Sequence, residues 1–403
     1  MAAPPIVALE LGTTKVTALV GELREDDLVM ISGSGECPSK GIRKGEVTDA
    51  PALTECIRTA LEAAEATGKV TIRQVILAVS GAGIRGLVNR GSIPVMKREG
   101  VIEEDDVEQV RQVARALNLP PEREILHSIS RHFSVDEHEF VLRPEGMAGA
   151  RLSHEMLIVH GLRSRMEAGI RAVQAVPMNV ADVVFGGIGA ASAVLTPEQR
   201  RSGVLVLDIG GGTTDIVVYR ANVLADAGVI AVGGDHVTND IAVAFNISAS
   251  QAERLKRESA GAIPGSATTR AQRISLAPEI GFPGRSVNLY ALNMVVNARM
   301  DELFRLVRSR LEETDSTGHL GAGVVLTGGG AHLKEAAELA EEVFELPCTV
   351  GVPRGVTGIA TVTDGPEYAT CVGVVQYGFK ALEEQRGQPV LGRVWKRIFR
   401  RSH

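Results

Sequence analysis

Apolar and polar positions along this chain repeat with two different periods, and the switches between them predict its elements. Ile6 to Leu11 is a short apolar run. Lys15 to Val20 follows it after a Gly-Thr turn, which predicts a β-hairpin. Over residues 50–67, Leu53, Ile57, Ala60, Leu61 and Ala64 fall on one face at helical spacing. Val75 to Val79 reads as a buried strand ending at Ser80-Gly81. From about Leu87 to Val159 the texture is more charged, with one strong helix at Glu104 to Leu117 and strand-like pieces such as Val135 to Leu142. That stretch reads as a small inserted domain. The main pattern resumes with a helix at Arg163 to Val176, the apolar segment Val180 to Leu195 and the strand Val204 to Leu207. It continues to about Lys380, where a polar stretch leads to a short amphipathic segment, Leu391 to Arg401. The fold class expected from this alternation is α/β.

Length and composition narrow the classes. A chain of 403 residues favours two or three domains with sizeable cores. A net charge of -6 and an aromatic content of 3% argue against a nucleic-acid binder. Cys37, Cys56, Cys348 and Cys371 form no CxxC pair and read as packed, reduced thiols. The start of the chain runs straight into a strand and does not read as a signal peptide. No apolar run reaches membrane-spanning length, so any membrane contact is expected to be peripheral.

One internal echo carries the chemistry. Glu10-Leu11-Gly12-Thr13-Thr14-Lys15 resembles Asp208-Ile209-Gly210-Gly211-Gly212-Thr213-Thr214-Asp215. Each is a strand, an acid, an apolar residue, glycine, a Thr-Thr pair and a second strand. Two related hairpins predict two duplicated lobes, with a ligand between them. Glycine turns let backbone N–H groups approach phosphate oxygens, and threonine hydroxyls and Lys15 add donors. Glu10 and Asp208 at the strand ends suit Mg²⁺. A third cluster, Gly328-Gly329-Gly330, follows the strand Val324 to Leu326 and precedes a helix at Leu333 to Phe344. Gly233-Gly234 opens another helix. Glu253 and Lys256 sit at i, i+3 spacing, which taken alone reads as a solvated ion pair. His127, His132, His138, His154 and His160 match no compact metal spacing. Ser80-Gly81 is not a nucleophile elbow.

In this order the segments resemble the actin/Hsp70/sugar-kinase superfamily. The hairpins look like its two phosphate motifs and Thr327 to Ala331 like its adenosine motif. Ile188 to Leu195 and Thr370 to Val374 look like its two connecting helices. Within the superfamily the chain resembles the bacterial cell-division family FtsA, through Gly12 to Val16, Cys37-Pro38-Ser39-Lys40-Gly41, the insert after Ala78-Val79-Ser80-Gly81, and Val237 to Ala242 with Phe245. The resemblance implies an actin-like two-lobed fold with duplicated ribonuclease-H-like cores, a small inserted α+β domain and a C-terminal amphipathic helix. The first lobe core would be 1–85, 164–200 and 364–382, and the insert 86–163. The second lobe core would be 201–232 and 305–363 with an outer subdomain 233–304, followed by a linker 383–390 and a helix 391–403.

The resemblance also implies ATP and Mg²⁺ in the cleft, with Gly234, Glu253, Lys256 and Gly328 to Gly330 around the adenosine. It implies self-assembly into filaments, recruitment of later division proteins, and a place on the cytoplasmic face of the bacterial membrane at the division site. Glu10, where the superfamily usually has Asp, argues against fast hydrolysis. The tail of FtsZ is expected at Arg299, with Arg305 and Arg308 near it, on a helix from about Asn293 to Glu312. Leu391, Val394, Trp395, Ile398 and Phe399 form one apolar stripe, and Arg393, Lys396, Arg397, Arg400 and Arg401 take the other face. Such a helix lies in a membrane interface and is drawn to anionic lipids. Two other readings stay open here: a related adaptor of a type IV pilus platform, which predicts no basic tail, and a small-molecule kinase, for which no general base stands out.

Overall fold

The computed structural model describes residues 3–25, 28–96, 100–265, 267–314, 316 and 318–387. Chain order begins with β1 (Ile6–Leu11), β2 (Lys15–Leu23), β3 (Val29–Pro38), the short pair β4 (Ile42–Arg43) and β5 (Glu46–Val47), α1 (Ala50–Gly68) and β6 (Gln74–Val79). Asp49 caps α1 by accepting from Ala52 N, and the five apolar positions read from the sequence are all buried beneath it. The insert follows as β7 (Arg85–Pro94), α2 (Glu104–Arg115), β8 (Arg123–Val135), β9 (His138–Val141) and β10 (Arg151–Leu162). The chain then returns through α3 (Arg163–Gln174), β11 (Asn179–Phe185), α4 (Gly186–Val194) and α5 (Pro197–Ser202).

The second half repeats the first. It runs β12 (Val204–Ile209), β13 (Thr214–Arg220), β14 (Val223–Ile230), α6 (Gly234–Phe245), α7 (Ala249–Glu258), α8 (Ala267–Ala271), β15 (Arg273–Leu276), β16 (Arg285–Asn288), α9 (Leu289–Glu313) and β17 (Val324–Thr327). It closes with α10 (Ala336–Phe344), β18 (Cys348–Val350), β19 (Val356–Gly358), α11 (Ala360–Thr363) and α12 (Ala369–Gly387). The first sheet contains the order β3-β2-β1-β6-β11, and the second contains β14-β13-β12-β17-β18. In each, three antiparallel strands are followed by two parallel ones. This is a duplicated ribonuclease-H-like core, so the two-lobed actin-like expectation holds.

Two helices join the lobes by crossing over. α4 follows the last strand of the first core yet packs beneath β12, β13 and β14, while α12 packs beneath β1, β2 and β6. They meet with almost no side chain between them. A Cβ built on Gly373 would lie 1.8 Å from Gly189 O, and one on Gly189 would lie 3.0 Å from Thr370 O. Glycine here permits close backbone approach rather than an unusual φ.

The insert is a four-stranded antiparallel sheet, β7-β10-β8-β9, backed by α2. Its edge strand β7 pairs with β14 through Arg85 and Gly228, so the insert leaves the chain from the first lobe and joins the sheet of the second. Three expectations change. The strand expected over Val135 to Leu142 is the turn and short return of a hairpin whose long arm, β8, was hidden by its mixed polarity. α9 runs without a break across residues 304–305, where a subdomain boundary was placed. α12 extends to Gly387, so the first part of the expected linker is helical. Ala381, Leu382, Glu383, Glu384, Gln385 and Arg386 are all good helix formers, and the first proline is Pro389. The amphipathic segment 391–403 lies outside the described residues. Among the described residues no helix is long and apolar enough to cross a membrane.

Candidate functional site

The echo between the two hairpins is exact in loop length but shifted in chemistry. Leu11 pairs with Val16 and Ile209 with Thr214, so each turn spans four residues. Gly12 N donates to Lys15 O at 3.1 Å, and Gly210 N donates to Thr213 O at 2.9 Å. This register equates Thr13-Thr14 with Gly211-Gly212, not with Thr213-Thr214 as the sequence echo suggests. The turns face each other across the lobes. A Cβ on Gly211 would lie 2.2 Å from Thr14 Oγ1, and one on Gly212 would lie 2.6 Å from Thr13 Oγ1. One turn thus presents hydroxyls and the other presents bare backbone. Thr214 is turned away, donating from Oγ1 to Val232 O at 2.8 Å. Lys15 Nζ is held by Glu36 and lies 3.9 Å from the ring centroid of Tyr368.

Three carboxylates converge below the turns. Glu10 pairs across its hairpin with Thr17, and Asp208 with Asp215, so Asp215 is an extra acid without a counterpart in the first lobe. Thr370 Oγ1 donates to Asp208 Oδ2 at 2.6 Å, Cys371 Sγ donates to Glu10 Oε2 at 3.5 Å, and Ser80 Oγ donates to Asp215 Oδ1. Burial, then the charge of Asp208, pushes Glu10 up to about 7. Burial pushes Asp208 up to about 6, and burial with the Asp208 charge pushes Asp215 well above the usual carboxylate range. This concentration of negative charge fits a divalent cation. Among the described residues no three metal-ligating side chains are close enough to hold an ion by themselves. Glu10 and Asp208 would be the residues to hold Mg²⁺, a cation that takes one or two carboxylates plus phosphate oxygens and keeps most of its waters.

The same charge sets a prediction for the protein alone. Glu10 carries its proton more tightly folded than unfolded, so stability falls as pH rises from about 4.5 to about 7 and is level above. Glu10→Gln removes that loss. Its residue surface still touches the cleft, so water screens part of the effect. The expected gain above pH 7 is about 1–2 kcal/mol, measured as the difference between wild-type and variant denaturation curves at pH 5 and pH 8. An equal difference at the two pH values would contradict it.

The remaining residues close around the second turn. Gly234 N donates to Gly210 O at 2.9 Å and Asp235 N to Gly211 O at 2.8 Å, so the start of α6 rests on the turn. Lys256 Nζ reaches Gly234 O at 3.1 Å and Thr238 Oγ1 at 2.8 Å while pairing with Glu253 at 2.6 Å. With 15% of its side chain exposed, Lys256 is a built part of this wall rather than a solvated ion-pair partner. Gly328 has a φ of 77°, and a Cβ on it would lie 2.1 Å from Asp208 Oδ1. Gly329 faces open space. The helix expected from Leu333 begins at Ala336, after a 3-10 turn at Gly329–His332 and a left-handed Glu335. The glycines, Glu253, Lys256 and the acids therefore share one cleft. Asp215, Ser80, Thr370, Cys371 and Tyr368 belong to it as well. The sequence alone gives none of these five a role in the site, because their partners lie far away in the chain.

Elsewhere the expected sites are less convergent. Arg299 clamps Asp240 of α6 with two hydrogen bonds, 2.6 and 3.1 Å, and also bonds Glu302. Arg305 pairs with Asp301 at 2.6 Å, and Arg308 with Glu312 and Glu345 at 3.3 Å. At 100° per residue, Arg308 lies about half a turn round α9 from Arg299, so the three do not form one face. In the insert, His127 Nε2 accepts from Phe185 N at 2.9 Å and His160 Nδ1 accepts from Arg123 at 2.7 Å. Burial holds His127, His154 and His160 down to about 4, in the neutral form.

Comparison with known proteins agrees with this architecture. Residues 205–373 match the family model "Cell division protein FtsA", and residues 81–160 match "SHS2 domain inserted in FTSA". Among solved structures, a type IV pilus biogenesis complex, PilM-PilN, is similar at a TM-score of 0.63 and 18% identity, covering 93% of this chain and 98% of that one. MreB5 of Spiroplasma citri bound to ADP is similar at a TM-score of 0.56 and 14% identity, covering 95% and 98%. These two likenesses speak to the fold alone. The cell division protein FtsA of Pseudomonas aeruginosa is 34% identical over 388 residues, covering 96% of this chain and 92% of that protein. That of Escherichia coli (strain K12) is 34% identical over 380 residues, covering 93% and 90%. An identity of this level over nearly the whole of both chains, with the matching insert in place, means that the chain belongs to the FtsA family of cell division proteins.

Proposed function

We propose that this protein binds ATP with Mg²⁺ between its lobes, assembles into actin-like filaments, and holds FtsZ filaments on the cytoplasmic face of the membrane through residues 391–403. The observation that carries the nucleotide part is the pair of facing turns above the converging acids Glu10, Asp208 and Asp215. Hydroxyls of one turn and bare backbone of the other can grip phosphates from two sides, and bound Mg²⁺ would offset the buried negative charge. Gly328 to Gly330, Gly234, Glu253 and Lys256 would surround the adenosine. Hydrolysis is expected to be slow, because Glu10 carries one methylene more than the Asp usual at that place. Within the family reading, later division proteins would assemble on the same filament.

The membrane part rests on the sequence of the tail. Its apolar stripe and its basic face carry no acid between them. Each basic residue near an anionic leaflet contributes about 1 kcal/mol, and one such helix is a reversible anchor that filament avidity strengthens. This basic tail also favours the division reading over the pilus-platform one. The test is flotation of the full chain with vesicles containing anionic lipid. Trp395→Glu should reduce the bound fraction severalfold, and truncation after Pro389 should abolish it. A truncated chain that floats as well as the full one would remove the tail as anchor.

For the FtsZ tail, Arg299 is the candidate contact, and its clamp on Asp240 sets a competition. An acidic tail would have to share or displace that carboxylate. Asp240→Asn is therefore expected to tighten FtsZ-tail binding and Arg299→Gln to weaken it about tenfold, a difference of about 1.4 kcal/mol. Fluorescence anisotropy with a labelled tail peptide reads both. Unchanged affinity in the two variants would exclude Arg299.

A further inference from the structure

We infer that Cys37 and Cys56 form a thiol pair that oxidises to an intramolecular disulfide and thereby locks the strand beneath the first phosphate-type turn. The pairing follows from how β3 lies on α1. A Cβ on Gly33 would sit 2.7 Å from Ala64 O, and one on Gly35 would sit 2.0 Å from Ala60 O. Bare glycine backbone thus presses directly on the helix at two successive points. Two strand residues advance about 6.6–6.8 Å and four helix residues about 6 Å, so each step of two in β3 matches a step of four in α1. The next step of that ladder brings Cys37 against Cys56.

The thiols occupy the place this predicts. Cys56 Sγ donates to Pro38 O at 3.4 Å, and Cys37 Sγ shares the same oxygen at 3.5 Å. Cys37 is half-buried and reachable by a small oxidant, whereas Cys56 is enclosed. The neighbourhood connects to the cleft. Cys37 pairs with Val16 and Pro38 with Lys15. Ser39 N donates to Thr14 O at 2.9 Å, holding the turn whose hydroxyls face Gly211 and Gly212. A bond between Cys37 and Cys56 would fix Pro38 and Ser39 against α1 and stiffen that hold.

The chemistry needs a two-electron oxidant, and a peroxide suffices. The Cys37 thiolate attacks one peroxide oxygen, the O–O bond breaks, and a sulfenic acid forms as hydroxide leaves and takes up the proton that the thiol released, becoming water. The Cys56 sulfur then displaces water from that sulfenic acid, its proton leaving with the hydroxyl, and the S–S bond closes. Two thiols and one hydrogen peroxide become one disulfide and two waters. Burial and the adjoining Cys56 thiol raise the Cys37 thiol, so the pair is expected to react slowly and to stay reduced under ordinary handling.

The inference does not depend on what the cleft binds. The full chain is treated with excess hydrogen peroxide, digested without reduction and mapped by mass spectrometry. The expected product is a peptide linking Cys37 to Cys56, lighter by two hydrogens and released by dithiothreitol. Cys37→Ser and Cys56→Ala should each abolish it. Amide exchange at Ser39 should be slower in the bridged protein than in the reduced one. A sulfinate on Cys37 with Cys56 still free, a bridge between two molecules, or a dithiol that survives treatment while the protein stays folded would each overturn the pairing. Unchanged exchange at Ser39 would overturn the lock.

Discussion

Gly211→Val is expected to weaken ATP binding at least about a hundredfold while leaving the chain folded. The added branch would enter the space facing Thr14 Oγ1, which a Cβ alone already approaches to 2.2 Å, with Asp235 Oδ1 at 3.2 Å. It would push the two turns apart and cover the backbone that should meet phosphate. Losing two charge-assisted hydrogen bonds of about 1.5–3 kcal/mol each is enough for that factor. Gly211 itself belongs to neither of the two large hydrophobic cores, so the variant should still fold, with a melting temperature lowered by the forced shift at Thr14. Isothermal titration with ATP and Mg²⁺ decides the matter. A folded variant with wild-type affinity would remove the glycine turns from the site.

Gly373→Ala is expected to destabilise the whole protein. In a helix exposed to solvent the same change would add up to about 1 kcal/mol of stability. Here the sign is reversed, because the methyl group would lie 1.8 Å from Gly189 O and 2.4 Å from its carbonyl carbon. Those atoms are helix backbone and cannot rotate away. Overpacking of this kind costs about 1–3 kcal/mol, and here it also pries apart the two helices that carry the lobes. The expected result is a net loss of about 2 kcal/mol in denaturant unfolding. Gly318→Ala, with nothing within 4 Å of the new group, should stay within about 0.5 kcal/mol of wild type. Equal stability of the two variants would refute the close crossing.

Much of this architecture was legible in the sequence, because it rests on local rules. The hairpin at Gly12 and its partner at Gly210 show as glycines between apolar strands, and α1 shows as a stripe of five apolar positions that are all buried. What the sequence hid depends on partners distant in the chain. Thr214 looks like a phosphate ligand until its bond to Val232 O is seen. Lys256 looks like a surface charge until α6 brings Gly234 beneath it. Ser80 meets Asp215, and Thr370 meets Asp208, only because the lobes fold face to face. β8 is hard to read because neither face is consistently apolar, with Arg123, His127 and Arg131 on one and Glu124, Ser128, Ser130 and His132 on the other, and α12 runs past the expected linker because its polar residues are good helix formers.

The central claim is that nucleotide-bearing lobes and the basic tail act together to bring FtsZ to a membrane. Co-pelleting of FtsZ with anionic vesicles tests it most directly, using the full chain with ATP and Mg²⁺, the chain truncated after Pro389, and Gly211→Val. The account predicts that FtsZ pellets with vesicles in the presence of the full chain, is lost with the truncated chain, and is reduced with Gly211→Val. FtsZ that pellets equally with the full and truncated chains, or with neither, would contradict it.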